Sequence, residues 1–236
     1  MKYLIINILV ILVFKVSSQT VIFEQQVDTA SNRPKWGQNC RHFLHAYINI
    51  GNIAARSEKG ASVIYPGSLA TGFGLRYKLK LTSWYALVAE TEMNGSRVYL
   101  KQNQGKLLPD NTRHDAEYYL FKTAGLSIMQ RLNVGRRGDI IGKYIELGIY
   151  ATGEIQTRHV MVDKNMNAGA SRTKTINLNP SYISTFNYGI AGRAGFNWFS
   201  VFARYRLSDR FTTLSGNTLP EIPRLTIGVD FALIFR

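Results

Sequence analysis

Apolar and polar residues alternate along most of this chain, and the clearest case is its last segment, Arg224–Arg236. Side chains on one face of that segment are all apolar, and those on the other face are mostly polar or small. The apolar set is Leu225, Ile227, Val229, Phe231, Leu233 and Phe235. An α-helix, with 3.6 residues per turn, does not bring such positions to one side, so the segment is predicted to be a β-strand.

Further segments upstream show the same period of two. They are Phe43–Gly51, Leu69–Leu79, Trp84–Met93, Tyr118–Gln130, Tyr144–Gly153, Phe186–Asn197 and Phe199–Leu207. Glycine and β-branched residues within them disfavour a helix. Most are close to the ~9–11 residues that a tilted transmembrane strand needs. The pattern therefore predicts an all-β protein, a closed antiparallel up-and-down transmembrane β-barrel of about eight strands.

The connections between these strands fall into two sets. Long polar connections alternate with shorter ones, a sorting that is typical of outer-membrane barrels, whose long loops face outside. The long ones are Asn52–Ser68, Asn94–Glu117, Glu154–Thr185 and Ser208–Pro223. Asn94-Gly95-Ser96, in the second of them, is expected to form a turn. Among the shorter ones, the basic segment Arg131–Arg137 is expected to be a turn facing the periplasm.

Alternation alone does not say which face points inward. A soluble ligand-binding barrel would turn its apolar face inward. Three features favour a charged interior: glycines share the charged face, its charges nearly balance, and aromatic residues cluster toward the strand ends. Because buried charges are tolerated when they are paired, we predict a charge network in the lumen. Its members are Arg76, Lys78, Glu90, Glu92, Glu146, Arg193, Arg204, Arg206 and Asp230.

Aromatic residues cluster toward the ends of the predicted strands. Such positions are typical of the aromatic girdles that transmembrane barrels place at the two membrane interfaces. The expected girdle residues are Tyr77, Trp84, Tyr85, Tyr118, Tyr119, Tyr144, Trp198, Phe199 and Tyr205.

The N-terminal residues have the pattern of an export signal. Lys2 precedes the apolar run Leu4–Phe14, which is too short to span a bilayer, and small residues follow it. The single Cys40 is too distant from this run for lipidation, and one cysteine excludes an internal disulfide. We expect residues 1–18 to be a signal peptide, 19–40 a periplasmic segment and 41–236 the barrel.

The chain is strongly basic, with 29 Lys and Arg, 15 Asp and Glu, and a formal net charge of +14. In an exported protein this charge favours contact with outer-membrane lipid and lipopolysaccharide, or with an acidic partner. We expect no nucleic-acid partner.

Few residues of this chain are candidates for catalysis or metal binding. His42 and His45 would point to opposite faces of a strand, which disfavours a shared metal. His114-Asp115 offers a base, but no motif ties a nucleophile to it. We therefore expect no catalytic residue, no metal and no cofactor.

The chain resembles the small outer-membrane β-barrel families of the OmpA-type and PorT-like kind. The resemblance rests on the signal, the alternating strands, segments such as 142–148 and the aromatic last strand. It implies a place in the Gram-negative outer membrane, with Phe231, Leu233 and Phe235 as an assembly signal for the insertion machinery. It also implies an accessory role, such as assisting protein secretion through a periplasmic or secretion-system partner. A narrow pore or small-solute transporter is one alternative; a barrel enzyme or soluble ligand-binding barrel is another.

Overall fold

The computed structural model describes residues 34–135, 138–164, 172–214 and 218–234. The predicted signal peptide and Phe235 lie outside these residues. Within them the chain is all-β apart from one 3-10 turn, Tyr65–Gly67. The strands are β1 His42–Ala54, β2 Leu69–Lys80, β3 Tyr85–Leu100, β4 Ala116–Val134, β5 Lys143–Asp163, β6 Thr173–Leu178, β7 Phe186–Phe196, β8 Phe199–Arg206 and β9 Leu225–Leu233.

These nine strands form a single antiparallel sheet in which eight strands close into a ring. Each ring strand pairs with the next ring strand in the chain, and β9 pairs with β1 to complete the circle. The strand β6 pairs only with the far end of β5, Arg158–Asp163, and adds no member to the ring. Closure of the ring gives each of its eight strands a ring partner on both sides.

The structure differs from the sequence prediction mainly in the lengths of the strands. β3 continues to Leu100 and β5 to Asp163, so the turn predicted at Asn94-Gly95-Ser96 was wrong, and β6 was missed. The reason is that the backbone ladder continues after the apolar alternation has ended. A bulge contributes as well, because Ile155 has no partner opposite β4, which shifts the alternation in β5 by one residue.

The two ends of the ring differ as predicted. Short connections join β2 to β3, β4 to β5 and β7 to β8 at what we call the turn end. Asn197 there adopts a φ of +54°, a left-handed conformation that asparagine tolerates in a tight turn. Long connections gather at the opposite end, called the loop end. Among the described residues, no helix is long and apolar enough to cross a membrane.

Alternate side chains of each ring strand point inward and outward. In β5 the side chain of Glu146 is fully buried, whereas its neighbour Leu147 is 65% exposed. Phe73 in β2 and Leu126 in β4 are likewise 60% and 62% exposed. The charged face therefore lines the interior and the apolar face forms the outer surface, which is the reverse of a soluble ligand-binding barrel.

Candidate functional site

The interior of the ring is organised around Arg193 of β7. Its Nη1 lies 2.6 Å from Glu90 Oε1 and 2.5 Å from Glu146 Oε2. Its Nε lies 2.7 Å from Asp230 Oδ2. Because these carboxylates come from β3, β5 and β9, one guanidinium connects four strands around the ring.

Two further arginines complete this central cluster. Arg76 donates from Nε to Glu90, and its Nη2 lies 3.0 Å from Asp230 Oδ2. Arg131 donates from Nε to Glu146 Oε1 over 2.5 Å. With Arg193 there are three guanidiniums and three carboxylates, all nearly inaccessible to solvent. Equal numbers of opposite charges make such burial tolerable, since each charge has a partner.

A second ion pair lies next to the central cluster. Arg204 of β8 binds Glu92 of β3 through two parallel contacts of 2.5 and 2.6 Å. Tyr47 donates from its hydroxyl to Glu92 Oε2 over 3.1 Å. The two-pronged geometry matches the fork of a guanidinium to both carboxylate oxygens, which is the strongest form of such a pair.

The remaining predicted members, Lys78 and Arg206, are buried but contact other groups. Lys78 Nζ donates to the backbone oxygen of Gln38 over 2.5 Å. Arg206 Nη2 donates to Glu221 Oε2 in a long loop over 2.8 Å. The structure thus joins seven of the nine predicted residues in ion pairs with one another and places these two elsewhere.

Arg131 is the member that the sequence prediction missed. It was assigned to a turn facing the periplasm, which was wrong: it lies in β4 and is fully buried. Extending the alternation of the fourth predicted strand by one residue places Arg131 on the same face as Gly125 and Ser127. That continuation was the available signal.

Inward-facing tyrosines fit against glycines of the neighbouring strand. A β-carbon at Gly195 would lie only 2.2 Å from Cζ of Tyr144, and one at Gly74 would lie 2.8 Å from Cζ of Tyr47. Glycine at these positions therefore leaves space for the aromatic ring of the tyrosine to pack against the backbone of the neighbouring strand. The cross-strand pairs are Tyr47 with Gly74, Tyr144 with Gly195 and Tyr150 with Gly189.

The same tyrosines support arginines of the charge network. The guanidinium carbon of Arg131 lies 4.0 Å from the ring centre of Tyr144, and that of Arg76 lies 4.3 Å from Tyr47. Arg204 lies 5.9 Å from the ring of Tyr150. A cation over an aromatic face is electrostatically stabilised. The tyrosine rings therefore help to hold these guanidiniums where they reach the carboxylates.

At the loop end, the long connections fold inward over the ring and bury an apolar cluster. Leu108, Phe211 and Ile222 from the loops pack with inward residues of the strands, including Val98 and Phe121. These connections were predicted to be polar and exposed. Their apolar residues follow no regular period, so the sequence pattern did not assign them to a core.

A buried polar chain lies beside this cluster. Glu117 forms an ion pair with Lys106, whose Nζ lies 2.6 Å from Glu117 Oε2, and Glu117 Oε1 lies 2.7 Å from His159 Nε2. The other ring nitrogen of His159 lies 3.1 Å from the Tyr182 hydroxyl, which lies 3.3 Å from that of Tyr119. Burial raises the pKa of Tyr182 to about 12, so this phenol stays protonated at neutral pH.

The histidines considered for catalysis have well-defined neighbours in the described ranges. His42 lies on the outer face beside Tyr77 and His45 is buried inside, so the two point to opposite faces. His114 Nδ1 lies 3.0 Å from Asp163. Among the described residues, no hydroxyl or thiol of Ser, Thr or Cys is hydrogen-bonded to His114 or His159, and no cluster of three metal-ligating side chains is present.

Aromatic residues do collect on the outer face at the turn end, where Trp198 stacks on Phe231 with ring centres 6.0 Å apart. Phe231 and Leu233 of the predicted assembly signal pair with β1, which closes the ring. Tyr119 and Tyr144 were expected in the outer girdles, but both are buried inside, so that prediction was wrong for them.

No family model matches this chain, and no curated protein matches it significantly. The function therefore has to be inferred from the geometry of the ring, its interior and its outer face.

Proposed function

We propose that this protein is a non-catalytic outer-membrane β-barrel, closed to bulk solutes, with a structural or accessory role at the cell envelope. The observation that carries this proposal is the apolar outer face of the strand ring. Exposed aliphatic and aromatic side chains surround it, among them Ile48, Phe73, Leu126, Leu147 and Ile190. Soluble monomers rarely expose apolar patches larger than a few hundred Å², whereas lipid is a suitable solvent for such a face.

The height of this apolar face fits a bilayer. On the outer side of β4, Leu132 lies near the turn end and Lys122 lies ten residues away toward the loop end. At ~3.3 Å per residue this spacing is roughly 33 Å along the strand. A strand tilt of ~45° converts it to ~23 Å, close to the ~25 Å apolar band of transmembrane barrels.

The interior supports a closed barrel rather than a pore. In a ring of eight strands, side chains are large enough to fill the lumen. Here the arginine–carboxylate cluster occupies the middle, and the apolar cluster of the long loops covers the loop end. We infer that the protein acts through its surfaces, as an anchor or as a binding partner in processes such as protein secretion. The secretion role rests on the resemblance to PorT-like proteins alone.

Cell fractionation and electrophoresis test the membrane assignment. We expect the protein in the outer-membrane fraction, with a mobility shift between unheated and boiled samples, because a closed barrel resists detergent until it is heated. Recovery as a soluble periplasmic protein would refute the assignment.

Planar-bilayer recording tests whether the lumen is closed. We expect no stepwise conductance, and reproducible single-channel steps would instead establish the narrow-pore alternative.

A further inference from the structure

A groove of about 350 Å³ lies where the apolar outer face meets the loop end, across β2, β3, β4 and β5. The pairing register of these strands determines which residues lie side by side along the groove. Arg97, Leu120 and Arg158 occupy one cross-strand row, and Gly95, Lys122 and Gln156 occupy the next row toward the turn end. A β-carbon at Gly95 would meet no atom within 4 Å, so the glycine leaves the centre of the groove open.

The three cations of this groove contrast with those of the interior. Each interior arginine of the charge network contacts at least one carboxylate, whereas no ion pair joins Arg97, Lys122 or Arg158 to any described carboxylate. The only hydrogen bond from the Arg158 side chain to a described residue goes to Gln156 Oε1 over 3.3 Å, and its Nε is buried without a hydrogen-bond partner among the described residues. The guanidinium of Arg97 lies over the ring of Tyr118 at 5.5 Å. Three like charges with unused donors are suited to an anion.

We propose that this groove binds a phosphate group of lipid A, the phosphorylated and multiply acylated glycolipid of the outer leaflet. The inference rests on the proposed function, because it requires the groove to lie at the outer membrane interface. Arg97 and Arg158 present forks of N–H donors that match phosphate oxygens, and Lys122 adds a point charge.

The surroundings of the groove favour a lipid over a soluble anion. Leu69 and Leu120 line its wall, and the outer face below it continues through Ala124 to Leu126 toward the turn end. A ligand that carries both phosphate and acyl chains on one sugar headgroup satisfies both surfaces at once: the phosphate meets the cations, and the chains lie along the apolar strands. Inorganic phosphate satisfies only the first.

Native mass spectrometry of the full-length mature protein in detergent tests this proposal, with lipid A as the probe. The groove variant carries Arg97→Gln, Lys122→Gln and Arg158→Gln. A control variant, Lys59→Gln, Lys101→Gln and Arg113→Gln, removes the same charge from exposed sites outside the groove. We expect the groove variant to weaken lipid A binding by about tenfold or more, and the control variant to weaken it by less than about threefold. Both variants lose the same long-range attraction, so the difference between them measures the direct contacts in the groove.

Additional ligands separate the sources of the anion. Dephosphorylated lipid A should bind to the wild-type protein as weakly as intact lipid A binds to the groove variant. Neither phosphatidylglycerol nor excess inorganic phosphate should displace intact lipid A from the wild-type protein. Equal loss in both variants, equal binding after dephosphorylation, or displacement by either competitor would overturn the proposal. The heat-dependent gel shift is measured on the same samples, with Lys122→Gln alone as a milder variant should the triple variant not assemble. A wild-type protein that shifts on heating but shows no lipid A preference refutes only this inference.

Discussion

Replacing Glu146 with alanine removes a carboxylate that two buried guanidiniums share. Arg131 and Arg193 each lie 2.5 Å from one of its oxygens, and all three side chains are nearly inaccessible to solvent. Glu90 and Asp230 still contact Arg193, but Arg131 has no other carboxylate partner among the described residues. The variant therefore leaves a charge buried without compensation.

The expected cost follows from that geometry. Breaking a buried pair by removing one partner costs about 3–5 kcal/mol in free energy of unfolding. The matched control is Leu147→Ala, one residue along the same strand and on the outer face. Losing about three methylene equivalents costs about 2 kcal/mol in transfer free energy. In the proposed membrane position lipid fills the space, so no cavity cost is added.

Reversible urea unfolding in lipid vesicles measures both variants. Trp36, Trp84 and Trp198 serve as fluorescence probes, since all are more than half exposed. We expect Glu146→Ala to lose more stability than Leu147→Ala. The opposite order would refute the assignment of the charged face to a water-excluded interior and of the apolar face to lipid.

A double-mutant cycle tests the contact itself. Arg131→Met removes the charge that Glu146→Ala strands, so the double variant should cost less than the sum of the single variants by at least about 1 kcal/mol. Additivity to within about 0.5 kcal/mol would show that the two side chains do not interact.

Three further predictions concern a tyrosine–glycine contact in the strand ring, the last strand and the loop end. Gly195→Ala should destabilise the strand ring by about 1–3 kcal/mol in urea unfolding because the added β-carbon overlaps Tyr144. Gly153→Ala should cost less, because its β-carbon would come no closer than 4.0 Å to a neighbouring atom, the Thr185 carbonyl oxygen; equal costs would contradict the fit. Phe235→Asp should block assembly, with little protein reaching the outer-membrane fraction, and normal membrane levels would argue against an assembly signal. Because burial raises the pKa of Tyr182 from 10.0 to about 12, its contribution to stability is present below pH 10 and is lost as the pH rises toward 12. Tyr182→Phe should reduce that loss, measured as hydrogen exchange of the loop-end amides, and an unchanged pH profile would contradict it.

The local pattern of this sequence was enough to predict the eight strands of the ring and their two faces, although not their full lengths. A period of two has a direct physical cause, since successive side chains of a strand point to opposite sides. Glu146 and Leu147 could therefore be assigned to different faces from the alternation, and balanced charges favoured the interior for Glu146. The sorting of long and short connections likewise followed from segment spacing.

Only the tertiary structure decided which charges meet. Arg193 and Glu90 are 103 residues apart in the chain and become neighbours because the ring closes. The contact of Tyr144 with Gly195 depends on the register between β5 and β7. The alternation of apolar and polar residues leaves that register undetermined. The loop-end cluster also eluded the sequence pattern, because loops have no period and their apolar residues are identified as a core only when distant segments fold over the same opening. Periodicity reports the direction of each side chain from its own strand, whereas partners are set by strand order, register and closure of the ring.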